Sequence, residues 1–231
     1  MKTKTLAIMA GLGGSLLLAG TADAAYTGLS GEQFGVNVMI DGTEWQVWRV
    51  YANVDNPLDA IQAISGNAVN PIVIQTNMGS FYQNKVFGVQ HNIEEPVGFL
   101  AADPNLAFDT FVTIGTPVLV PEDGMGNGGP TQLQGFATPG FAAGSLMITN
   151  GAWFRTPGNN LTIAGPDLRV LIGQFTFERG ATVDGVVRVA GNFDGESTQF
   201  IGQTFFLPAP GALALLGLAG IAGGRRRRRA D

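Results

Sequence analysis

The middle of the chain contains short stretches in which apolar and polar residues alternate, with turn-forming residues between them. In residues 34–40 every even-numbered position is large and apolar, and Asp41-Gly42 follows directly. Residues 48–54 repeat the pattern, with Trp48 in the apolar set. A repeat of two places alternate side chains on opposite faces of a β-strand. The two stretches therefore predict a β-hairpin that turns at residues 41–44.

The same pattern predicts nine or ten strands in the region from 25 to 206. In residues 168–178 the apolar set changes parity across Gly173, which predicts a β-bulge. Residues 58–64 predict a short helical turn, because Pro57 suits its first position, and the glycine-rich residues 122–130 predict a loop. The further predicted strands are 71–76, 79–83, 108–115, 145–149, 185–190 and 199–205. The predicted fold is all-β: a single, jelly-roll-like β-sandwich domain.

Residues 1–24 have the three parts of a secretory signal peptide. Lys2 and Lys4 precede an apolar run over residues 6–20, and the small residues Ala22 and Ala24 follow it. This order predicts export through the cell's translocation machinery, with cleavage between Ala24 and Ala25. The alternative is a retained anchor, but the apolar run is shorter than the roughly 17–25 residues of a spanning helix.

Residues 207–231 have the composition of a membrane anchor with its arginines in the cytoplasm. Pro208, Ala209 and Pro210 precede residues 211–224, which carry no polar side chain. Arginine is costly in hydrocarbon and stays on the cytoplasmic side. The arginines that end this predicted transmembrane helix are Arg225, Arg226, Arg227, Arg228 and Arg229.

This tail resembles the PEP-CTERM sorting signal, which consists of a Pro-x-Pro motif, an apolar helix and a basic cluster. Ala209 stands where the commonest form has Glu. The resemblance implies processing by an exosortase at the proline motif. It also implies passage from the inner membrane to the cell surface or extracellular matrix of a Gram-negative bacterium, often one that makes exopolysaccharide. The alternative is a plain single-pass anchor.

The central region resembles a domain that recurs in secreted bacterial proteins with this kind of tail. The resemblance supports a single domain and implies no particular chemistry. The matching stretches are residues 43–52, 79–83, 108–115 and 165–175.

Charge and composition narrow the functions open to residues 25–207. Six basic and 16 acidic side chains give a formal net charge of −10, which disfavours nucleic acid as a partner. Cysteine is absent and His91 is the single histidine, which excludes thiolate and multi-histidine metal sites. No Gly-x-Ser-x-Gly nucleophile motif occurs, and Glu94-Glu95 and Glu122-Asp123 are best explained as solvated acids. We therefore expect neither an enzyme nor a bound cofactor.

Calcium is the metal ion that the sequence favours most. Asp55 and Asp59 are spaced to lie on one turn, and Asp123 and Asn127 share the glycine-rich loop. Oxygen ligands suit calcium, but six to eight are needed. Turn formation and helix capping explain the same residues equally well.

Aromatic residues offer a second kind of site, a platform for sugar rings. Trp45 and Tyr51 share the strand face opposite Trp48, with Arg49 between them, and are the better candidates for exposure. Trp48 suits the core. Two functions remain open: a structural or adhesive protein of the envelope or exopolysaccharide matrix, and a surface carbohydrate-binding module. The other aromatic residues weighed for the platform are Phe81, Tyr82 and Trp153.

Overall fold

A computed structural model describes residues 26–84, 97–136, 141 and 144–209 of the chain. In these residues 11 strands, one short α-helix and three 3-10 helices are found. The helices are α1 (Val97–Ala102), Pro104–Phe108, Asn160–Thr162 and Gly165–Asp167. The strands are β1 (Tyr26–Ile40), β2 (Thr43–Val54), β3 (Ala60–Gly66), β4 (Ile72–Thr76), β5 (Phe111–Val112), β6 (Gln132–Gln134), β7 (Ser145–Ile148), β8 (Gly151–Phe154), β9 (Arg169–Glu178), β10 (Val183–Phe193) and β11 (Glu196–Leu207).

The strands form two antiparallel sheets, so the prediction of an all-β fold is confirmed. One sheet has the order β1-β2-β9-β5, and the other has the order β6-β8-β3-β10-β4-β7. β11 pairs with β10 along nearly its whole length, while β3 and β4 share the opposite edge of β10. The jelly-roll connectivity stays a prediction.

The core lies between the two sheets, which gives the fold its sandwich-like character. Its side chains come from both sheets, and Trp153 of β8 donates from its indole nitrogen to the carbonyl oxygen of Ile172 in β9, at 3.0 Å. Phe175 of β9 stacks on Phe205 of β11 with their ring centroids 5.6 Å apart. Trp48 is buried in this core, as its place in the alternating pattern predicts.

The predicted hairpin at residues 41–44 is confirmed. Ile40 pairs with Thr43, so the turn consists of Asp41 and Gly42 alone, with φ angles of 51° and 79°. Two successive positive φ angles define the turn type whose twist matches that of the strands, and Asp-Gly is a preferred sequence for it.

The bulge in β9 is also confirmed. Val50 pairs with Gly173 and Tyr51 with Leu171, which leaves Ile172 as the extra residue. The core-facing set accordingly changes from even to odd positions along β9. The bulge lets one strand contribute buried side chains on both sides of the irregularity.

The predicted helical turn at residues 58–64 is wrong, because Ala60–Gly66 is strand β3. The three-residue spacing of Ile61 and Ile64 resembles that of a helix, yet both side chains are fully buried in the sheet. Ala63 pairs with Ala190 and Ile61 with Gly191, so Gln62 is an unpaired extra residue. A bulge, and not a helix, therefore brings the two isoleucines to the same face.

Two further predicted strands are shorter than expected. Within residues 79–83 Phe81 makes a single bridge to Phe177. Within residues 108–115 strand β5 has two residues, Phe111 and Val112, and residue 108 belongs to the preceding 3-10 helix. The predicted loop at 122–130 and the edge strand β7 are confirmed.

The predicted membrane segments fall outside the part of the chain that the structure describes. The signal peptide with Ala22, Ala24 and Ala25, the apolar run 211–224 and the arginines Arg225–Arg229 all lie there. Among the described residues no helix has both the length and the apolar character needed to cross a membrane.

Candidate functional site

A cleft of about 420 Å³ opens beside the tip of the β1–β2 hairpin. Three segments that are distant in sequence form it: the hairpin tip, the chain after β4, and the start of the helix Pro104–Phe108. Its lining includes three aromatic rings and several carboxylate, amide and hydroxyl groups. The lining residues are Ile40, Asp41, Thr43, Trp45, Ser80, Phe81, Tyr82, Gln83, Asn84, Asp103 and Asn105.

Trp45 and Tyr82 form an aromatic pair in the cleft. Trp45 points away from the sandwich core, because the alternate residues of β2 supply the core. Tyr82 packs on it with ring centroids 5.3 Å apart and an interplanar angle of 56°. The backbone N–H of Tyr82 donates to the carbonyl oxygen of Thr176 at 2.8 Å, which ties this segment to β9.

The expected exposure of Trp45 is corrected by this packing. Its side chain is only 9% exposed, because Tyr82 covers one side of the ring. Nothing local in the sequence indicates this contact, since 36 positions separate the two residues. Trp45 still lines the cleft, so it offers a ring edge and not an open platform.

Tyr51 lies on the same face of β2 but takes no part in the cleft. The guanidinium of Arg169 covers its ring at 4.1 Å and pairs with Glu32 at 2.7 Å. Between Trp45 and Tyr51, Arg49 stacks on Phe34 at 3.6 Å. The predicted platform of Trp45 and Tyr51 is thus divided by an arginine that is already packed.

The polar wall of the cleft is held in place by hydrogen bonds. Asn84 donates from its side-chain nitrogen to Oδ2 of Asp103 at 2.7 Å. Its backbone N–H donates to Oδ1 of the buried Asp109 at 2.8 Å. Gln83 donates from Nε2 to the carbonyl oxygen of Thr110 at 2.6 Å. These groups are therefore positioned before any ligand arrives, which lowers the entropic cost of binding.

The electrostatic environment of the cleft is acidic. The pKa of Tyr82 is raised to about 12, first by burial and then by the nearby carboxylates of Asp109, Asp103 and Asp41, in that order of effect. The phenol therefore stays neutral at physiological pH and keeps its hydrogen-bond donor. The described lining residues include three aromatic rings and two carboxylates, and none of them is an arginine, lysine or histidine.

Two buried polar atoms of the lining residues have no hydrogen-bond partner in the structure. These are Nε1 of Trp45 and Oε1 of Gln83, whose residues are 9% and 6% exposed. An unpaired buried donor or acceptor costs about 1–3 kcal/mol. Such groups are uncommon in folded proteins, and each one needs an explanation such as strain, a bound water, an ion or a functional role.

The calcium candidates have other partners. Oδ1 of Asp59 accepts from the backbone N–H of Asp194 at 2.9 Å. Asp123 accepts from the backbone of Met125 at 2.8 Å and of Asn127 at 3.1 Å, which shapes the loop. In the described part of the chain no three His, Cys, Asp or Glu residues are grouped so that they could hold a metal ion. A calcium site at Asp55 and Asp59 stays a prediction.

The remaining predicted residues are only partly placed. Pro208 and Ala209 follow β11 directly and are half-buried, whereas Pro210 lies outside the described residues. His91 and the Glu94-Glu95 pair also lie outside them.

Sequence reasoning missed the contributions of Asn84, Asp103 and Asn105 to the cleft. The Asp-Pro pair at 103–104 indicates a helix cap, but it carries no information about the hairpin that it faces. Comparison with known proteins adds no residues: no known protein family matches the chain, and no curated protein is similar to it.

Proposed function

We propose that this protein is exported and sorted to the cell surface or extracellular matrix, where its β-sandwich domain binds carbohydrate without acting as an enzyme. The observation that carries the proposal is the cleft, in which Trp45 and Tyr82 adjoin carboxylate and amide groups held by hydrogen bonds. A sugar ring has an apolar face and polar hydroxyls, and a site of this composition matches both.

The order of residues in the tail supports the sorting part of the proposal. A plain anchor needs hydrophobic length and a positive cytoplasmic flank, but it has no use for two prolines beside the bilayer. Proline fixes φ, lacks a backbone donor and keeps the preceding residue extended. Pro208 and Pro210 would thus present a defined extended substrate to an exosortase-type enzyme.

Glycan-array binding of the full-length protein in detergent tests the carbohydrate part. Tyr82→Ala should weaken binding about tenfold, because aromatic contacts are worth about 0.5–1.5 kcal/mol beyond their area. Tyr51→Ala is the matched control, since Tyr51 is half-buried on the same sheet face but lies outside the cleft. Equal loss in both variants, or no retained glycan, would contradict the proposal.

Two outcomes would favour other functions. Release of reducing sugar from a bound glycan would show an enzyme. Matrix localisation without glycan binding would favour a purely structural protein.

The sorting part is tested by fractionation and by mass spectrometry of the mature carboxy terminus. The double variant Pro208→Ala and Pro210→Ala should insert normally but stay full-length in the inner membrane.

A further inference from the structure

The carboxylates of the cleft have a charge pattern that discriminates among glycans. Asp41 lies at the hairpin tip and Asp103 faces it from the start of the helix Pro104–Phe108, so two separate segments bring negative charge to one cavity. Asp109 lies behind Asn84 and contacts its backbone N–H. None of the described lining residues carries a positive charge to balance these groups.

We propose that the cleft selects glycans that carry protonated amino groups, such as polymers of glucosamine, over neutral and uronic-acid glycans. This inference rests on the proposed function and specifies its substrate class. A sugar ammonium group is attracted by the carboxylates of Asp41 and Asp103, whereas a uronate is repelled by them.

The aromatic pair adds to the same preference. A cation is attracted by the negative charge of an aromatic ring face, and within this pair the attraction applies to Tyr82, because Trp45 offers the cleft only a ring edge. The phenol of Tyr82 stays neutral, and its ring lies within the electrostatic influence of Asp109, Asp103 and Asp41. An aminated sugar can therefore place its apolar face and its charge against one set of side chains.

The unpaired buried groups are an observation independent of the charge. Nε1 of Trp45 needs an acceptor and Oε1 of Gln83 needs a donor. A sugar hydroxyl can act as either, and an ammonium group can serve only as the donor. Both atoms are buried in residues that line the cleft, so binding that uses them requires a rotation of the Trp45 or Gln83 side chain toward the sugar.

A charge-neutral substitution in a tolerant turn gives a clean test. Asp41→Asn removes one carboxylate from the cleft, and Asn-Gly is a preferred pair for this type of turn, so the hairpin should keep its fold. Asp194→Asn is the matched control, because Asp194-Gly195 forms the equivalent turn between β10 and β11, with φ angles of 51° and 84°. Both variants change the net charge of the protein by the same amount.

The two turns lie at opposite ends of β2. Asp41 lies just before the first residue of β2. Asp194 donates from its backbone N–H to Asp59, which lies five residues beyond the last residue of β2. Twelve strand residues at about 3.3 Å each separate these ends by about 40 Å. Dissolved ions screen the charge of Asp194 over that distance, so it should have no measurable effect on the affinity of a ligand in the cleft.

The experiment is calorimetric titration of the full-length protein in detergent with three hexasaccharides. The probes are glucosamine, N-acetylglucosamine and galacturonic acid hexamers, at mildly acidic pH. We expect at least tenfold tighter binding of the glucosamine hexamer than of the N-acetylated one, with the difference reduced at high salt. Asp41→Asn should weaken glucosamine binding about three- to tenfold and should weaken N-acetylglucosamine binding less, because the N-acetylated probe carries no charge for the carboxylate to attract. Asp194→Asn should change neither.

Each other outcome overturns the inference in a recognisable way. Equal affinity for the two glucosamine probes, or a preference for the galacturonic acid probe, would refute the amine selectivity while the proposed function stands. Equal effects of Asp41→Asn and Asp194→Asn would show binding by overall charge and not by the cleft. If none of the three hexamers binds, the inference fails, and the glycan array decides the proposed function by itself.

Discussion

Replacement of Trp48 by alanine should be among the most destabilising single changes in the domain. Trp48 is 4% exposed in the core between the sheets. Removal of a buried tryptophan ring costs about 3–5 kcal/mol. Its indole N–H also donates to Oε1 of Gln46 at 3.1 Å, and Gln46 in turn donates to the carbonyl oxygen of Ala181 at 2.9 Å. Loss of that donor leaves a buried acceptor unpaired, at a cost of about 1–3 kcal/mol.

The total should approach the stability of an ordinary domain, which is about 5–15 kcal/mol. Trp48→Phe separates the two contributions, because it keeps an aromatic ring and loses the hydrogen bond to Gln46. Trp45→Phe is the matched control, since Nε1 of Trp45 has no partner to lose. We expect Trp48→Phe to cost about 1–3 kcal/mol and Trp45→Phe to cost less than about 1 kcal/mol.

Urea unfolding of the full-length protein, followed by far-ultraviolet circular dichroism, measures these differences. The midpoint should fall while the slope stays constant, since the surface exposed on unfolding hardly changes. A near-neutral Trp48→Ala would refute the assignment of Trp48 to the core. If Trp48→Phe costs no more than Trp45→Phe, the hydrogen bond to Gln46 contributes nothing measurable.

Three further predictions concern the loops and the tyrosines. Gly115→Ala should destabilise the protein by more than about 2 kcal/mol, because φ is +96° and the new methyl group would overlap a backbone oxygen. Gly158→Ala should cost only about 1 kcal/mol, because its φ is +88° but the space around it is open. Comparison of the two urea midpoints tests this. The buried guanidinium of Arg155 donates to carbonyl oxygens of the loop at 121–130. Arg155→Met should therefore cost about 3 kcal/mol of stability and speed amide hydrogen exchange in residues 121–130. Unchanged exchange in that loop would contradict this prediction. Burial raises the pKa values of Tyr26 and Tyr82 above the usual 10, so the unfolded chain loses these protons first and stability should fall as pH rises above about 10. Thermal melts across that range should show a smaller fall in Tyr26→Phe.

The features that the sequence predicts correctly are those that local chemistry decides. The hairpin at Asp41-Gly42 depends on two adjacent residues that tolerate positive φ, flanked by alternating strands. The bulge in β9 is visible because the apolar set changes parity beside Gly173. The bulge in β3 has no such change of parity beside a glycine. The spacing of Ile61 and Ile64 fits a helix equally well, and the sequence therefore predicts a helical turn there incorrectly.

The candidate site was predictable only in part, because its members meet through tertiary packing. The alternation in β2 places Trp45 on the outer face, which is confirmed. The burial of Trp45 depends on Tyr82, and the polar wall depends on Asn84 and Asp103, which come from separate segments. Strand periodicity assigns a side chain to a face but does not say which loop will cover that face.

The direction of β11 determines where the chain leaves the domain relative to the cleft. β11 ends at Leu207, which pairs with Val183, close to the segment that receives the side chain of Gln46 at the start of β2. The cleft lies at that same end of the sandwich, beside the β1–β2 turn. The predicted anchor would therefore hold the domain by the end that carries the cleft. Cleavage at the predicted proline motif would remove that tether without removing any residue that lines the cleft.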